Sequence, residues 1–313
     1  MINFNSRSSI NPHFFYGLIV FFYSFFINFY YAKLGSYPLD VFYHYDSASK
    51  LLNNQYPIRD YWIVSGFLVD LFQAFFFKLF GVNWYAYILH SSIFNFIISF
   101  LTYKFFISLK IDKTKSLICT LSFATLAYTI SGTPFVDHHA TFFLLISTYF
   151  ITYAISEPKK KYLWPIIVFL LFLSFFSKQV PAAYAIIILG LIIFFLLMKK
   201  KDYDTIKVLA SSLLTFTALL VLILIIFGID FKEFYIQYFD YPRSIGSDRT
   251  TNLKFSFESI FNHYKFIIFP ILGILIIKFR SKKNLNLTYD LKRNVNLLII
   301  IGFSVSIIFH QLM

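Results

Sequence analysis

The chain has one cysteine, Cys119, in 313 residues, which excludes an intrachain disulfide and a zinc site built on cysteines. Charge is also scarce: 14% of the residues are Asp, Glu, Lys or Arg, against about a quarter in an ordinary soluble domain. Acids are the scarcer sign, 15 against 28 Lys and Arg, leaving a formal charge of +13. Heptads are missing and polar stretches are short, so neither a coiled coil nor a disordered chain fits. What is abundant is apolar and aromatic: 58% of the residues are hydrophobic, with 44 Phe and 23 Tyr. Apolar runs of membrane-crossing length recur along the chain, and together these features exclude an ordinary cytosolic enzyme. The expected fold is all-α, a polytopic transmembrane helix bundle forming one domain over residues 1–313.

The first run, about Phe14 to Tyr31, follows Arg7 and precedes polar sequence with no small-residue cleavage site. It is longer than the apolar core of a secretory signal, so it reads as an uncleaved first helix with its N-terminus in the cytoplasm. Further runs at about 84–103, 116–133, 138–156, 162–177, 180–198, 208–228, 266–279 and 295–312 bring the expected spans to about nine. The segment GFLVDLFQAFFFKLFG, Gly66 to Gly81, is apolar but short, and it carries Asp70, Gln73 and Lys78. A carboxylate in the middle of a membrane costs several kcal/mol, of order 3, unless it is paired. Leu68, Leu71, Phe72, Phe75, Phe76 and Leu79 follow the i, i+3, i+4 spacing of one apolar face. An amphipathic helix lying in the outer interface is therefore expected here.

Charge placement tests that topology. With Gly66 to Gly81 not crossing, Lys110, Lys113 and Lys115, Lys159 to Lys161, Lys199 to Lys201, and Lys278 to Lys283 all fall on the cytoplasmic side. The outer side then holds ten basic and ten acidic residues, so the whole +13 excess lies inside, as the positive-inside rule requires. The basic surplus is thus topological, and no nucleic-acid partner is expected. Two outer loops are long, about 34–83 and about 229–265, which puts the working face outside.

Candidate chemistry gathers in those loops and turns. Asp40 lies just past the first helix, where a carboxylate stays ionised near water while facing a substrate carried by lipid. Ala48, Leu51 and Leu52 give a short helical face ahead of a turn at Asn53 and Asn54, and Tyr56, Pro57, Arg59 and Asp60 form a polar knot. TPFVDHHATFF opens the fourth span with Asp137, FFSKQVPAAY sets Lys178 and Gln179 in a turn, and YFDYPRSIG carries Arg243. Each has a plain reading beside a functional one. Asp40 is a solvated loop acid or a base, and Asp137 a helix cap or a contact for the acceptor. Lys178 is a snorkelling side chain or a phosphate ligand. Arg59 and Asp60 are an ion pair shaping the loop, or Arg59 meets a ligand. Arg243 is a loop cation or a donor contact. His44 with Asp46, or Asp137 with His138 and His139, leaves a divalent metal open, although neighbouring histidines on a helix point apart. No other cofactor is called for.

The first loop resembles that of the integral-membrane GT-C glycosyltransferases, the class of the lipid A aminoarabinose transferase and the protein O-mannosyltransferases. Their pattern has an Asp after the first helix, a small residue eight positions on, two bulky apolar residues at eleven and twelve, and a loop helix ending in Leu-Phe-Gly. Here these are Asp40, Ala48, Leu51, Leu52, and Leu79, Phe80, Gly81. Asp137 and the Lys178-Gln179 turn are similar to further elements of that class. The paired acid common there is missing, since Val41 follows Asp40.

The resemblance implies a bacterial inner-membrane enzyme, active on the periplasmic face. It would transfer a sugar from a polyprenyl-phosphate donor to a glycan, lipid or protein acceptor with inversion. Asp40 would be the base, and Asp137, Lys178, Arg59 and Arg243 would contact substrates. It also implies further C-terminal helices, so the chain is expected to be truncated at its C-terminal end. The rival readings are a transporter or flippase of lipid-linked saccharides, which would place charges inside its helices, and a non-catalytic subunit of a polysaccharide assembly complex.

Overall fold

The structure, a computed structural model, describes residues 12–34, 38–63, 65–128, 132–245, isolated positions between 258 and 272, and 287–312. Helices account for nearly all of it: α1 (Pro12–Tyr31), α2 (Pro38–Leu52), α3 (Leu68–Phe80), α4 (Trp84–Ser108), α5 (Lys113–Leu126), α6 (Val136–Ser156), α7 (Leu163–Ser177), α8 (Gln179–Lys200), α9 (Tyr203–Ile226), α10 (Phe231–Tyr235) and α11 (Leu287–Leu312). A π-helical stretch, Ile236–Asp240, continues α10. Among the described residues there is no strand, only an isolated bridge between Pro57 and Tyr61.

Helix starts follow local chemistry. Asn83 accepts the Ala86 N–H at 2.9 Å, Asp112 those of Thr114 and Lys115, Asp202 that of Thr205, and Asp230 those of Lys232 and Glu233. Each satisfies N–H groups that a helix leaves unpaired at its first turn.

The long helices pack side by side, consecutive ones antiparallel. α6 lies against α7 and α8, α4 against α1 and α5, and α9 against α7, while α11 closes over α8 and α6. Leu144, Ile151, Trp164, Ile167, Leu189 and Ile299 form one apolar core, and Ile98, Tyr128, Phe142 and Ile146 a second. Over the most apolar stretches of α4 and α6, 56% and 61% of residues are buried, against 17% in α1 and 11% in α9. The first two are therefore central, whereas α1 and α9 turn Phe22, Phe26, Leu214, Leu222 and Ile226 outward. Long apolar helices with bare apolar flanks are what a lipid solvent permits, and the protein is a multi-pass helical membrane protein.

Among the described residues five helices, α1 from Phe14, α4, α6, α8 and α9, are long and apolar enough to cross, fewer than the nine spans expected. Two shortfalls are geometric. The run at 116–133 contributes only α5, 14 residues or about 21 Å at 1.5 Å per residue, before the chain turns at Ala127. The run at 162–177 becomes α7, 15 residues, whereas the last run falls within the 26-residue α11. The run at 266–279 lies almost wholly outside the described residues. Hydropathy finds these segments, but the turns that cut them short depend on what they pack against.

The first long loop is built of helices. α2 and α3 pack on each other, and α3 also touches α4 and α7. α3 covers the expected amphipathic segment, with Leu71, Phe75, Leu79 and Phe80 exposed and Val69, Asp70, Gln73, Ala74 and Phe77 buried. Asp70 and Gln73 thus face protein while Leu71, Phe75, Leu79 and Phe80 face outward, the arrangement for a helix that meets lipid on one side.

Candidate functional site

Every turn that carries an expected site residue lies at one end of the bundle. That end holds the C-termini of α1, α5, α7 and α9 and the N-termini of α4, α6 and α8, and α2, α3 and α10 cover it. The connections between them are specific. The Asn28 amide donates to the Gly132 carbonyl at 3.0 Å and to Ser91 Oγ at 3.0 Å, joining α1, α4 and the segment before α6. The Tyr87 hydroxyl reaches the Val41 carbonyl at 2.8 Å and lies 3.4 Å from that of Pro134, so one side chain of α4 holds the start of α2 beside the start of α6.

At the start of α6, Asp137 meets Lys178. The Lys178 ammonium donates to both Asp137 oxygens at 2.7 Å, and each side chain keeps 29% exposure. Just inside the pair, Ser174 Oγ donates to the Ala140 carbonyl at 2.8 Å and pins α7 to α6. Lys178 sits in extended backbone between α7 and α8, where it continues neither helix and its side chain is free to reach across. Gly66 closes the other side: its backbone lies against the Phe176 and Ser177 carbonyls so tightly that a Cβ would overlap them. The π-helical stretch covers the turn as well, with Gln179 Nε2 donating to the Tyr238 carbonyl at 3.2 Å and the Tyr238 hydroxyl to that of Phe175 at 2.7 Å.

The remaining expected residues fall into separate places. Arg59 and Asp60 form the expected ion pair, with Arg59 also donating to the Phe227 and Asn54 carbonyls at 3.1 Å each. Arg59 thereby staples the loop to the end of α9, and its hydrogen bond to Asp60, helped by the Tyr56 N–H, holds the Asp60 carboxyl below the usual carboxylate range. Asp40 stands exposed in the first turn of α2, with no hydrogen bond or ion pair among the described residues. Asp46 pairs with Lys50 at 2.7 Å one turn on. Arg243 is exposed in the helical residues that follow the π-helical stretch. Asp137 and Lys178 are therefore brought together, Asp40 lies at the neighbouring helix start, and Arg59 is engaged in shaping the loop.

Two buried polar groupings were not anticipated as sites. In the first, His44 Nδ1 lies 2.7 Å from Asp70 Oδ1, Ser47 Oγ donates to Asp70 Oδ2 at 2.6 Å, and the Tyr61 hydroxyl lies 2.8 Å from Ser47 Oγ. His44, Ser47 and Asp70 are 3%, 2% and 1% exposed. Burial pushes the Tyr61 phenol up, so it keeps its proton and donates to Ser47, whose own hydrogen is committed to Asp70. This supplies the partner that Asp70 needed. In the second, His139 Nδ1 lies 3.0 Å from the Phe135 carbonyl, His139 Nε2 is 3.1 Å from His90 Nε2, and His90 Nδ1 is 2.9 Å from Gln73 Oε1, the end of an amide that can also be turned to present its N–H. The carbonyl requires the His139 proton on Nδ1, so His90 donates through Nε2 and accepts at Nδ1. The chain of donors is complete when Gln73 presents its amide N–H there.

A sequence signal for both groupings exists. His44 and Ser47, and Asp70 and Gln73, are each spaced i, i+3, so two short helices carry polar pairs on one face. His138 turns away from His139 toward Tyr128, their rings 5.0 Å apart. Among the described residues no three His, Cys, Asp or Glu side chains are grouped to hold a metal ion. Compared with protein-family models, with characterised proteins and with solved structures, the chain matches none.

Proposed function

We propose that the protein is a membrane glycosyltransferase of the GT-C type, taking a sugar from a polyprenyl-phosphate donor at the outer face of a bacterial inner membrane. The observation that carries the reading is the Asp137–Lys178 pair. A half-buried cation at a helix junction, still open to a ligand, stands beside the helix start that bears the exposed Asp40. The chemistry needs both groups. Cleaving the glycosyl phosphate puts charge on a phosphate oxygen, and a fixed ammonium stabilises it where water is excluded. The attacking hydroxyl or amine loses a proton, and Asp40 takes it. One displacement by one base inverts the anomeric centre.

Arg59 and Arg243 complete the basic rim from which donor phosphates are reached, and Asp137 orients Lys178 in the free enzyme. In this reading α11, the run at 266–279 and the two short helices α5 and α7 also cross, the short ones within a locally thinned bilayer, giving about nine spans with the N-terminus inside. Against a transporter stands the character of the crossing helices. Lys104, Asp137, Lys199, Lys200, Asp204 and Lys207 lie near their ends, and the buried polar groups between them, such as Asn28, His90, Asn95 and His139, are uncharged amides and imidazoles.

The test is transfer by purified protein in proteoliposomes, supplied with polyprenyl-phosphate donors carrying different radiolabelled sugars and with envelope lipid, glycan or protein acceptors. Labelled product that requires intact Asp40 and Lys178 is expected. Donor left untouched in every combination defeats the reading.

A further inference from the structure

The His44–Asp70 pair is built as an acid–base site, and the transfer chemistry above does not yet use it. Asp70 is enclosed and accepts from two donors, His44 Nδ1 at 2.7 Å and Ser47 Oγ at 2.6 Å. The second donor is itself held by the Tyr61 hydroxyl. A carboxylate facing Nδ1 fixes the ring proton on that nitrogen and leaves the lone pair on Nε2. Nε2 makes no hydrogen bond among the described residues, yet it is not one of the fully enclosed polar atoms lacking a partner. The side chain as a whole keeps 4% of its surface. An accepting imidazole nitrogen backed by a buried carboxylate takes up a proton readily, because the carboxylate stabilises the imidazolium that forms.

Position supplies the rest. His44 follows Asp40 by four residues on α2, so the two side chains are neighbours on successive turns, with Cβ atoms about 6 Å apart. Asp40 is on the exposed side and His44 lies beneath it. The His44 ring also stands edge-on to Phe135 at 6.3 Å, just before the α6 turn that carries Asp137. The titratable groups around the imidazole are Asp70 on α3, Tyr61 in the loop, Tyr87 on α4, His139 on α6, and Asp40, Tyr43 and Asp46 on α2.

We propose that His44, oriented by Asp70, relays the proton that Asp40 removes from the acceptor. The inference rests on the transferase reading for the source of that proton. In the displacement the acceptor oxygen bonds to the anomeric carbon while the bond from that carbon to the donor phosphate oxygen breaks, its electron pair leaving with the phosphate. The acceptor proton goes to the Asp40 carboxylate, and from there to His44 Nε2. With a lipid phosphate and an acceptor seated over Asp40, bulk water is excluded, so an inward acceptor restores the carboxylate within the turnover. The imidazolium, held against Asp70, gives its proton to outer water when the product leaves.

The experiment has two arms. In the first, kcat and KM of transfer are measured for wild type, Asp40→Asn, His44→Gln and the double variant. His44→Gln should lower kcat by about 10- to 100-fold, less than loss of the base itself, with donor KM unchanged. The double variant should be no slower than Asp40→Asn, because a relay without its first member has nothing to pass. In the second arm, diethyl pyrocarbonate is applied to wild-type protein and to Asp70→Asn, and each histidine peptide is quantified by mass spectrometry. His44 should be carbethoxylated while His90 and His139 are protected, and its rate should fall severalfold in Asp70→Asn. The second arm needs no histidine variant to fold. Wild-type kcat in His44→Gln, losses that multiply in the double variant, or a His44 as inert as His90 overturns the relay. A wild type that transfers nothing defeats the transferase reading instead, which is a distinguishable result.

Discussion

Replacing Asp70 by leucine removes the one ionisable group on the buried face of α3, and the surrounding bonds set the cost. Two hydrogen bonds are lost, at 2.7 and 2.6 Å. Removing one partner of a buried ion pair costs about 3 to 5 kcal/mol when the other is left as a trapped charge. Here the remaining partner is an imidazole, which need not carry a charge, so the lower scale for an unsatisfied buried group, about 1 to 3 kcal/mol, applies. Ser47 recovers by donating to a carbonyl of its own helix. Adding the net worth of the lost bonds puts Asp70→Leu at about 2 to 4 kcal/mol. At about 2 °C per kcal/mol for a chain of this length, the melting temperature falls by about 4 to 8 °C.

Asp70→Asn is the informative companion. The amide oxygen still accepts from His44, and reversing the Ser47 and Tyr61 hydroxyls lets the amide N–H donate outward, so the cost is about 1 kcal/mol. The triple variant His44→Phe, Ser47→Ala, Asp70→Leu leaves no polar group stranded and should melt within about 2 °C of wild type. Size-exclusion chromatography of detergent-solubilised protein after graded heating reads all three. An Asp70→Leu protein as stable as wild type, or a triple variant worse than the single one, would refute the packing of α3 on α2.

Asp40→Asn should lower turnover by a factor on the order of 10² to 10⁴ with donor binding kept, while Asp46→Asn, which loses only its exposed pair with Lys50, should be mild. Kinetics with radiolabelled donor separate them, and equal effects would remove Asp40 as the base. Lys178→Ala should weaken donor binding by about 10- to 100-fold, the worth of one charge-assisted hydrogen bond. Lys178→Arg should restore part of it, and unchanged binding in the alanine variant returns the lysine to a structural pairing with Asp137. In a Cys119→Ala background, cysteines at the exposed positions Asn54 and Lys200 should react with an impermeant maleimide from opposite sides, Asn54→Cys from outside. Labelling of both from one side would refute the topology.

The composition alone determined that this is a helical membrane protein. Nearly sixty per cent hydrophobic residues with so few charges cannot be arranged in water, and the segregation of Lys and Arg gives the orientation expected of the chain. Local sequence also located the short helical face of Ala48, Leu51 and Leu52 with its turn at Asn53 and Asn54, most of the apolar outer face of α3, and the Arg59–Asp60 pair, because each depends on neighbours within a few residues. The number of crossings was less legible. Hydropathy registers how apolar a segment is, whereas where α5 stops depends on contacts with α1 and α4.

Only the tertiary structure decided which polar residues meet. Lys178 and Asp137 are 41 positions apart, and their pairing follows from α7 running back alongside α6. Asp70 read as a costly carboxylate in an apolar helix until α2 was laid against α3 and gave it His44 and Ser47. His90 and His139, 49 positions apart, meet because two central helices cross near their starts. A buried polar side chain is tolerated only with a partner, and that partner comes from another helix, so such pairs are properties of packing that no stretch of chain contains by itself.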